Sequence, residues 1–236
     1  MSFAAPDMRE QRILRLWECA AGLSRWARED ALLSSAGCVS NRLGVRNTEV
    51  LALRSALFGR AWPLKSACPE CGTECAFEAD SFELARELRA LPFTEQGAVD
   101  FGEESIRLRA ATTDDVRETA AARDPDEAAR VLLTRCVADA PTRAWDADEM
   151  ARLSEELERL DPAAMVSFAM SCPSCAHGWS ASIDVAEVFW AELQRAAERL
   201  FLEVDALARV YGWTENEILG LPPIRRAAYL QLAGSA

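Results

Sequence analysis

The sequence predicts an α+β fold, mainly helical, in which three short strand pairs interrupt a succession of helices. Three observations lead there. Apolar residues recur three or four positions apart along much of the chain, above all from Val185 to Tyr211. Two Cys-Pro-x-Cys units, Cys68-Pro69-Glu70-Cys71 and Cys172-Pro173-Ser174-Cys175, each lie between short stretches that alternate in polarity. The 236 residues are 50% hydrophobic and 27% charged, a globular profile with length for one or two domains.

The elements follow in chain order. Residues 8–21 carry Ile13, Leu14, Leu16, Trp17 and Ala20 as a helical stripe, and 24–35 make a second, weaker helix. Asn47-Thr48-Glu49 opens a third that Gly59 stops. The period then changes: 62–67 and 74–78 read as strands on either side of the first cysteine unit. A helix is expected over 81–90. A hairpin around Gly102 pairs 99–101 with 105–109. Thr112 or Thr113 caps a helix to about 123, and Asp124-Pro125 starts one that includes Val137 and ends at Pro141. Asp146 to Arg159 is amphipathic, with its carboxylates on a solvated face. Strands at 165–170 and 179–183 flank the second cysteine unit. The 27 residues 185–211 form a helix of roughly 40 Å at about 1.5 Å per residue. Thr214-Glu215-Asn216-Glu217 is a capping box for a short helix, and 224–232 forms the last.

The cysteines carry the chemistry. Eight are present, and four fall in the two matched units. A Cys-x-x-Cys turn sets two thiolates on one side of a metal, the proline stiffens the turn, and small residues after it (Gly72, Ala176) leave room for amides to approach sulfur. Two such knuckles on strands make a zinc ribbon, so Cys68, Cys71, Cys172 and Cys175 are the expected ligands of one structural Zn²⁺. Ordinary buried cysteines and a redox dithiol are the competing readings; a redox pair more often opens a helix in a βαβ unit. Cys75 and His177 compete as ligands, and four thiolates already fill a tetrahedron. Cys19, Cys38 and Cys136 read as small hydrophobes. The ribbon is therefore split: 61–79 plus 164–184 form it, 80–163 is a largely helical insertion, 1–60 an N-terminal helical region, and 185–236 a C-terminal region dominated by the long helix.

Charge excludes other classes. With 26 basic and 38 acidic residues the net charge is −12, and Lys65 is the only lysine, so a phosphate backbone is repelled. His177 is the only histidine, which removes most imidazole-based catalysis. The His-x-Glu element that accompanies Cys-x-x-Cys in zinc deaminases does not occur at His177-Gly178-Trp179. No catalytic residue is assigned. No apolar run is long enough to span a bilayer, and the opening residues lack the basic-then-apolar order of a secretory signal, so a cytoplasmic protein is expected.

Two sets of motifs then stand out. The first is Leu43-Gly44-Val45-Arg46-Asn47, Leu51-Ala52-Leu53-Arg54, Phe58-Gly59 and Cys68-Pro69-Glu70-Cys71-Gly72. The second is Phe189-Trp190-Ala191-Glu192-Leu193, Glu203-Val204, Leu207-Ala208, Tyr211-Gly212-Trp213-Thr214-Glu215, Ile218-Leu219, Leu221-Pro222, Arg225-Arg226 and Tyr229-Leu230. Over about 42–79 and 164–232 the chain resembles the T-even-type phage baseplate hub assembly chaperone family, whose relatives also occur in phage-tail-like contractile injection systems. The resemblance implies a cytoplasmic, non-enzymatic factor that works with baseplate hub or spike proteins. Trp190, Tyr211, Trp213, Arg225, Arg226 and Tyr229 are the candidate partner contacts, aromatic and arginine side chains being enriched at interfaces. The alternative reading is a zinc-ribbon accessory protein of transcription or nucleic-acid binding, against which the acidic charge weighs.

Overall fold

The computed structural model describes residues 8–138 and 144–234. Ten α-helices and three antiparallel strand pairs are found among them. The chain divides into two units: residues up to Ser35 together with those from Glu187 on, and residues 36–186. The boundary falls in the first turn of the long helix. None of the described helices is long and apolar enough to cross a membrane.

The first unit is helical. It holds α1 (Met8–Ala20), α2 (Arg25–Ser35), nearly all of α8 (Val185–Tyr211), α9 (Glu215–Leu219) and α10 (Pro223–Ala233). The expected stripe of α8 is the face it buries: Phe189, Leu193, Ala196, Ala197, Leu200 and Leu207 are all withdrawn from water. On α1 the same holds for Ile13, Leu14 and Leu16, while Trp17 meets Phe201 edge-on with ring centres 5.1 Å apart. Thr214 and Glu217 form the capping box that starts α9.

A buried ion cluster ties this unit together. Arg226 on α10 is almost wholly enclosed. Both its terminal nitrogens reach Glu10 of α1, and its Nε donates to Glu203 of α8 at 2.6 Å. Burial alone would disfavour the charged guanidinium, but the two carboxylates outweigh it and hold its pKa above the ordinary arginine value. A planar fork of donors suits this task where a lysine would not.

The second unit begins with α3 (Leu43–Phe58), which the sequence reading placed with the N-terminal helices. It packs instead on α4 (Ser81–Ala90) and on a 3-10 turn at Pro162–Ala164. It also starts four residues before the expected Asn47. The Gly44 amide donates to the Asp161 carboxylate at 3.0 Å, so a remote anion serves the helix N-terminus. A Cβ at Gly44 would overlap that carboxylate and Ala163, so this close approach needs glycine. Asn47, freed from capping, donates through Nδ2 to the carbonyls of Ala163 and Ala164, both at 2.9 Å. At the far end, the buried Arg54 donates to the Gly59 carbonyl (2.7 Å) and to Ser81 Oγ (3.1 Å).

Two hairpins carry the cysteine units. β1 (Ala61–Ala67) pairs with β2 (Glu74–Asp80) from Ala61↔Asp80 to Ala67↔Glu74. β5 (Val166–Ser171) pairs with β6 (Gly178–Ile183) from Val166↔Ile183 to Ser171↔Gly178. Between them in sequence lie α4, a hairpin of β3 (Gln96–Phe101) and β4 (Glu104–Arg109), then α5 (Thr113–Glu118), α6 (Pro125–Cys136) and α7 (Ala147–Leu160). Leu108, Leu133, Leu153 and Leu160 form the core of this segment. Thr112 caps α5 through a box with Asp115. Asp115 also receives both Arg109 terminal nitrogens (2.6 and 2.9 Å) and Arg135 Nε (3.1 Å). Burial opposes its ionisation, yet Arg109 and then Thr112 hold its carboxyl well below the usual range.

Three local expectations are corrected here. The helix after Thr112 ends at Glu118 and continues only as a 3-10 turn over Thr119–Ala121. Val137 lies outside α6, because it caps the helix and bridges to Leu108 of β4. The acidic face of α7 is not solvated throughout: Glu156 is buried against Gly97, its charge met by Arg159 at 2.6 and 2.8 Å. The expected stop at Pro141 lies outside the described residues.

Arg226→Ala would strand two partly enclosed carboxylates. Losing one partner of a buried ion pair costs about 3–5 kcal/mol, whereas an exposed substitution stays within about 0.5 kcal/mol. Denaturant unfolding should show a loss of that larger size for Arg226→Ala and almost none for Arg225→Ala.

Candidate metal centre

Each knuckle is built by the same hydrogen bonds. The Cys68 amide donates to the Thr73 carbonyl and the Gly72 amide to the Cys68 carbonyl, both at 2.9 Å. In the second knuckle the Cys172 amide donates to His177 and the Ala176 amide to Cys172, again at 2.9 Å. Both turns close with a left-handed residue at the same position, Gly72 at φ 73° and Ala176 at φ 59°. Ala176 is the one non-glycine with positive φ among the described residues. That conformation costs roughly 1–2 kcal/mol for a residue with a Cβ. The small side chains at 72 and 176 thus serve the backbone turn itself, a stricter demand than room for amides.

The hairpins bring the knuckles face to face. Phe77 of β2 and Phe168 of β5 pack with ring centres 5.1 Å apart. Cys68, Cys75 and Cys172 are buried together, with Met170 and Trp179 against them. The sulfurs of Cys68, Cys71, Cys172 and Cys175 all lie within 4.8 Å of one another. Cys71 Sγ is 3.5 Å from Cys172 Sγ, and Cys68 Sγ is 3.7 Å from Cys175 Sγ. These separations are far longer than a disulfide at about 2.05 Å. A tetrahedron with metal–sulfur bonds of about 2.3 Å has edges of about 3.8 Å. The donor set and its spacing therefore fit one tetrahedral thiophilic cation.

Electrostatics agree with the geometry. The amides of Cys175 and then Ser174 are directed at Cys172 sulfur and, against its burial, hold that thiol down to about 6. At Cys175 the His177 amide favours the thiolate, but desolvation and the neighbouring sulfurs outweigh it and push the thiol up to about 12. The Thr73 hydroxyl, 3.2 Å from Cys71 Sγ, and the Thr73 amide lower the Cys71 thiol. Four thiols this close cannot all ionise alone, because like charges repel. A divalent cation removes that conflict, and its binding displaces protons.

The remaining candidates separate cleanly. Cys75 and His177 lie outside the four-sulfur group. Cys75 is a buried strand residue whose thiol is raised, first by burial. His177 stacks on Trp179 with ring centres 6.4 Å apart. Cys136 is fully buried, and burial raises its thiol to about 11. Cys19, read as a small hydrophobe, is exposed, and its Sγ reaches the Leu16 carbonyl of its own helix.

Among the partner-contact candidates, Arg226 is corrected. It is buried and holds Glu10 and Glu203, so it presents no donor at the surface. Tyr211, Trp213 and Tyr229 are half-buried and pack on one another, with ring centres 4.6 to 5.5 Å apart. Trp190 is half-buried beneath the Arg28 guanidinium at 4.9 Å. Arg225 is exposed. Sequence reasoning missed the roles of Gly44, Asp161 and Arg54.

No protein-family model, curated protein or solved structure matches the chain.

Metal content separates ligands from neighbours. Cys172→Ser should lose the bound ion, read as metal per chain by atomic emission, because a hydroxyl replaces one of four thiolates. Cys75→Ser and His177→Ala should keep wild-type metal content. Loss of the ion in either of these, with retention in Cys172→Ser, would reverse the ligand assignment.

Proposed function

We propose that the chain is a non-enzymatic assembly factor, or a component, of the baseplate hub of a contractile phage-tail-like particle, held in shape by structural zinc. In this reading Cys68, Cys71, Cys172 and Cys175 bind one Zn²⁺, and the two hairpins form a zinc ribbon split by residues 80–163. Four converging sulfurs favour zinc or iron–sulfur chemistry over hard cations. Knuckles on short hairpins are the setting of structural zinc. Bound there, the ion supplies folding free energy, an apparent ~10–16 kcal/mol in finger peptides.

The observation that carries the partner reading is apolar surface in the unit that bears the closing motif. On α8, Leu202 and Val210 are 69% and 50% exposed, eight positions apart with Ala206 between. On α10, Ile224 and Leu232 are 86% and 62% exposed with the same spacing around Ala228. Large aliphatic side chains exposed to water two helical turns apart are what a partner helix or groove covers. The same unit carries the half-exposed aromatic trio and the exposed Arg225. The resemblance of these segments to the baseplate hub assembly chaperones supplies the partner class: hub or spike proteins met in the cytoplasm. The net charge of −12 sets the chain against nucleic acid as the main partner.

A tagged full-length chain expressed in its native host should co-purify with hub or spike proteins, and a deletion strain should make no complete baseplates under the electron microscope. Normal particles from the deletion strain would overturn the proposal.

A further inference from the structure

The two knuckles present their thiols unequally. Cys68 and Cys172, the first of each pair, are 2% exposed, whereas Cys71 and Cys175, the second of each, are open to solvent. The short sulfur–sulfur contacts then join an exposed thiol of one knuckle to a buried thiol of the other: Cys71 with Cys172, and Cys175 with Cys68. These pairs are separated by 101 and 107 positions, so each spans the whole insertion.

We infer that this centre is a modification site for peroxide, at which the metal clasp is exchanged for two cross-knuckle disulfides, Cys71–Cys172 and Cys68–Cys175. The inference rests on the zinc reading above. Peroxide reaches only the exposed sulfurs. Cys71 thiolate attacks the O–O bond and becomes a sulfenic acid, releasing hydroxide. Cys172 thiolate then attacks that sulfur, the S–S bond forms, the S–O bond breaks, and a second hydroxide leaves. With two protons taken up, two thiolates and one peroxide give one disulfide and two waters. The same sequence at Cys175 and Cys68 consumes a second peroxide, and the ion, now without thiolates, departs.

Geometry selects the cross-knuckle pairing. Closing from 3.5 or 3.7 Å to a bond of about 2.05 Å moves the sulfurs by about 1.5 Å in total, within reach of side-chain rotation. The hairpins stay together throughout, since each disulfide links the segments that the ion linked. Phe77 and Phe168 hold the same approach independently of the sulfurs. Oxidation here therefore replaces one staple by another, where in a free-standing zinc finger it would unfold the domain.

The test uses the full chain loaded with one equivalent of Zn²⁺ and treated with hydrogen peroxide. A chromogenic chelator reads released zinc, and mass spectrometry of non-reduced tryptic peptides reads the disulfides. Trypsin places Cys68, Cys71 and Cys75 in peptide 66–86, and Cys172 and Cys175 in peptide 160–195. The expected result is release of the zinc together with a cross-linked 66–86/160–195 species bearing two disulfides, unchanged in Cys75→Ser. In Cys71→Ser, which lacks one ligand and is oxidised without the ion, the cross-link should narrow to Cys68–Cys175. A chain that takes up no zinc before peroxide is added fails at the metal reading, and the exchange fails with it. A chain that takes up zinc and then keeps it under peroxide overturns the exchange alone. So does one that gives disulfides confined within each peptide, or sulfinic and sulfonic acids with no cross-link.

Discussion

Four sulfurs meeting across a sequence gap of 101 residues are the constraint on which the second unit depends. A two-stranded hairpin is at best marginal in water by itself. Here Phe77 of one hairpin meets Phe168 of the other, and Met170 and Trp179 pack against the buried cysteines. The leucine core of the insertion lies elsewhere, around Leu108, Leu133, Leu153 and Leu160. An ion at the four thiols would contribute about as much as the entire stability of an ordinary domain, roughly 5–15 kcal/mol. It would also close the ends of the insertion, so that residues 80–163 fold from a fixed base.

The same economy appears in the rest of the molecule. Remote polar contacts, each made once, set the helix boundaries: Asp161 on the Gly44 amide, Asn47 on the carbonyls of Ala163 and Ala164, Arg54 on Gly59 and Ser81. In the first unit, Arg226 links three helices at once through Glu10 and Glu203. Gly44, Asn47, Arg54, Glu203 and Arg226 all take part in such contacts. Their work in this chain is to hold elements together. Other residues of the first unit stay exposed, namely Arg225, Leu202 and Val210 of α8, and Ile224 and Leu232 of α10.

This division explains what could be read in the sequence. Local rules sufficed where local forces decide: the 185–211 helix, the Thr214 box, the Asp124-Pro125 start and the hairpin at Gly102 all appear where pattern and capping place them. The matched knuckles were legible because two thiols at fixed spacing in a rigid turn have few other uses. Reading failed where a distant group intervened. Asn47 looks like a cap until Asp161 takes that role from 114 positions away, Val137 looks helical until Leu108 claims it, and Glu156 looks solvated until Gly97 lets it in. Arg225 and Arg226 are indistinguishable in sequence. Only the positions of Glu10 and Glu203 decide which one turns inward.

The central claim is that the four thiols hold one zinc ion, and X-ray absorption at the zinc edge tests it most directly. Full-length chain purified from cells grown with both zinc and iron should contain one zinc, with a spectrum fitted by four sulfurs at about 2.3 Å and no nitrogen or oxygen neighbour. Iron in place of zinc, a lighter atom among the neighbours, or no bound metal would contradict it.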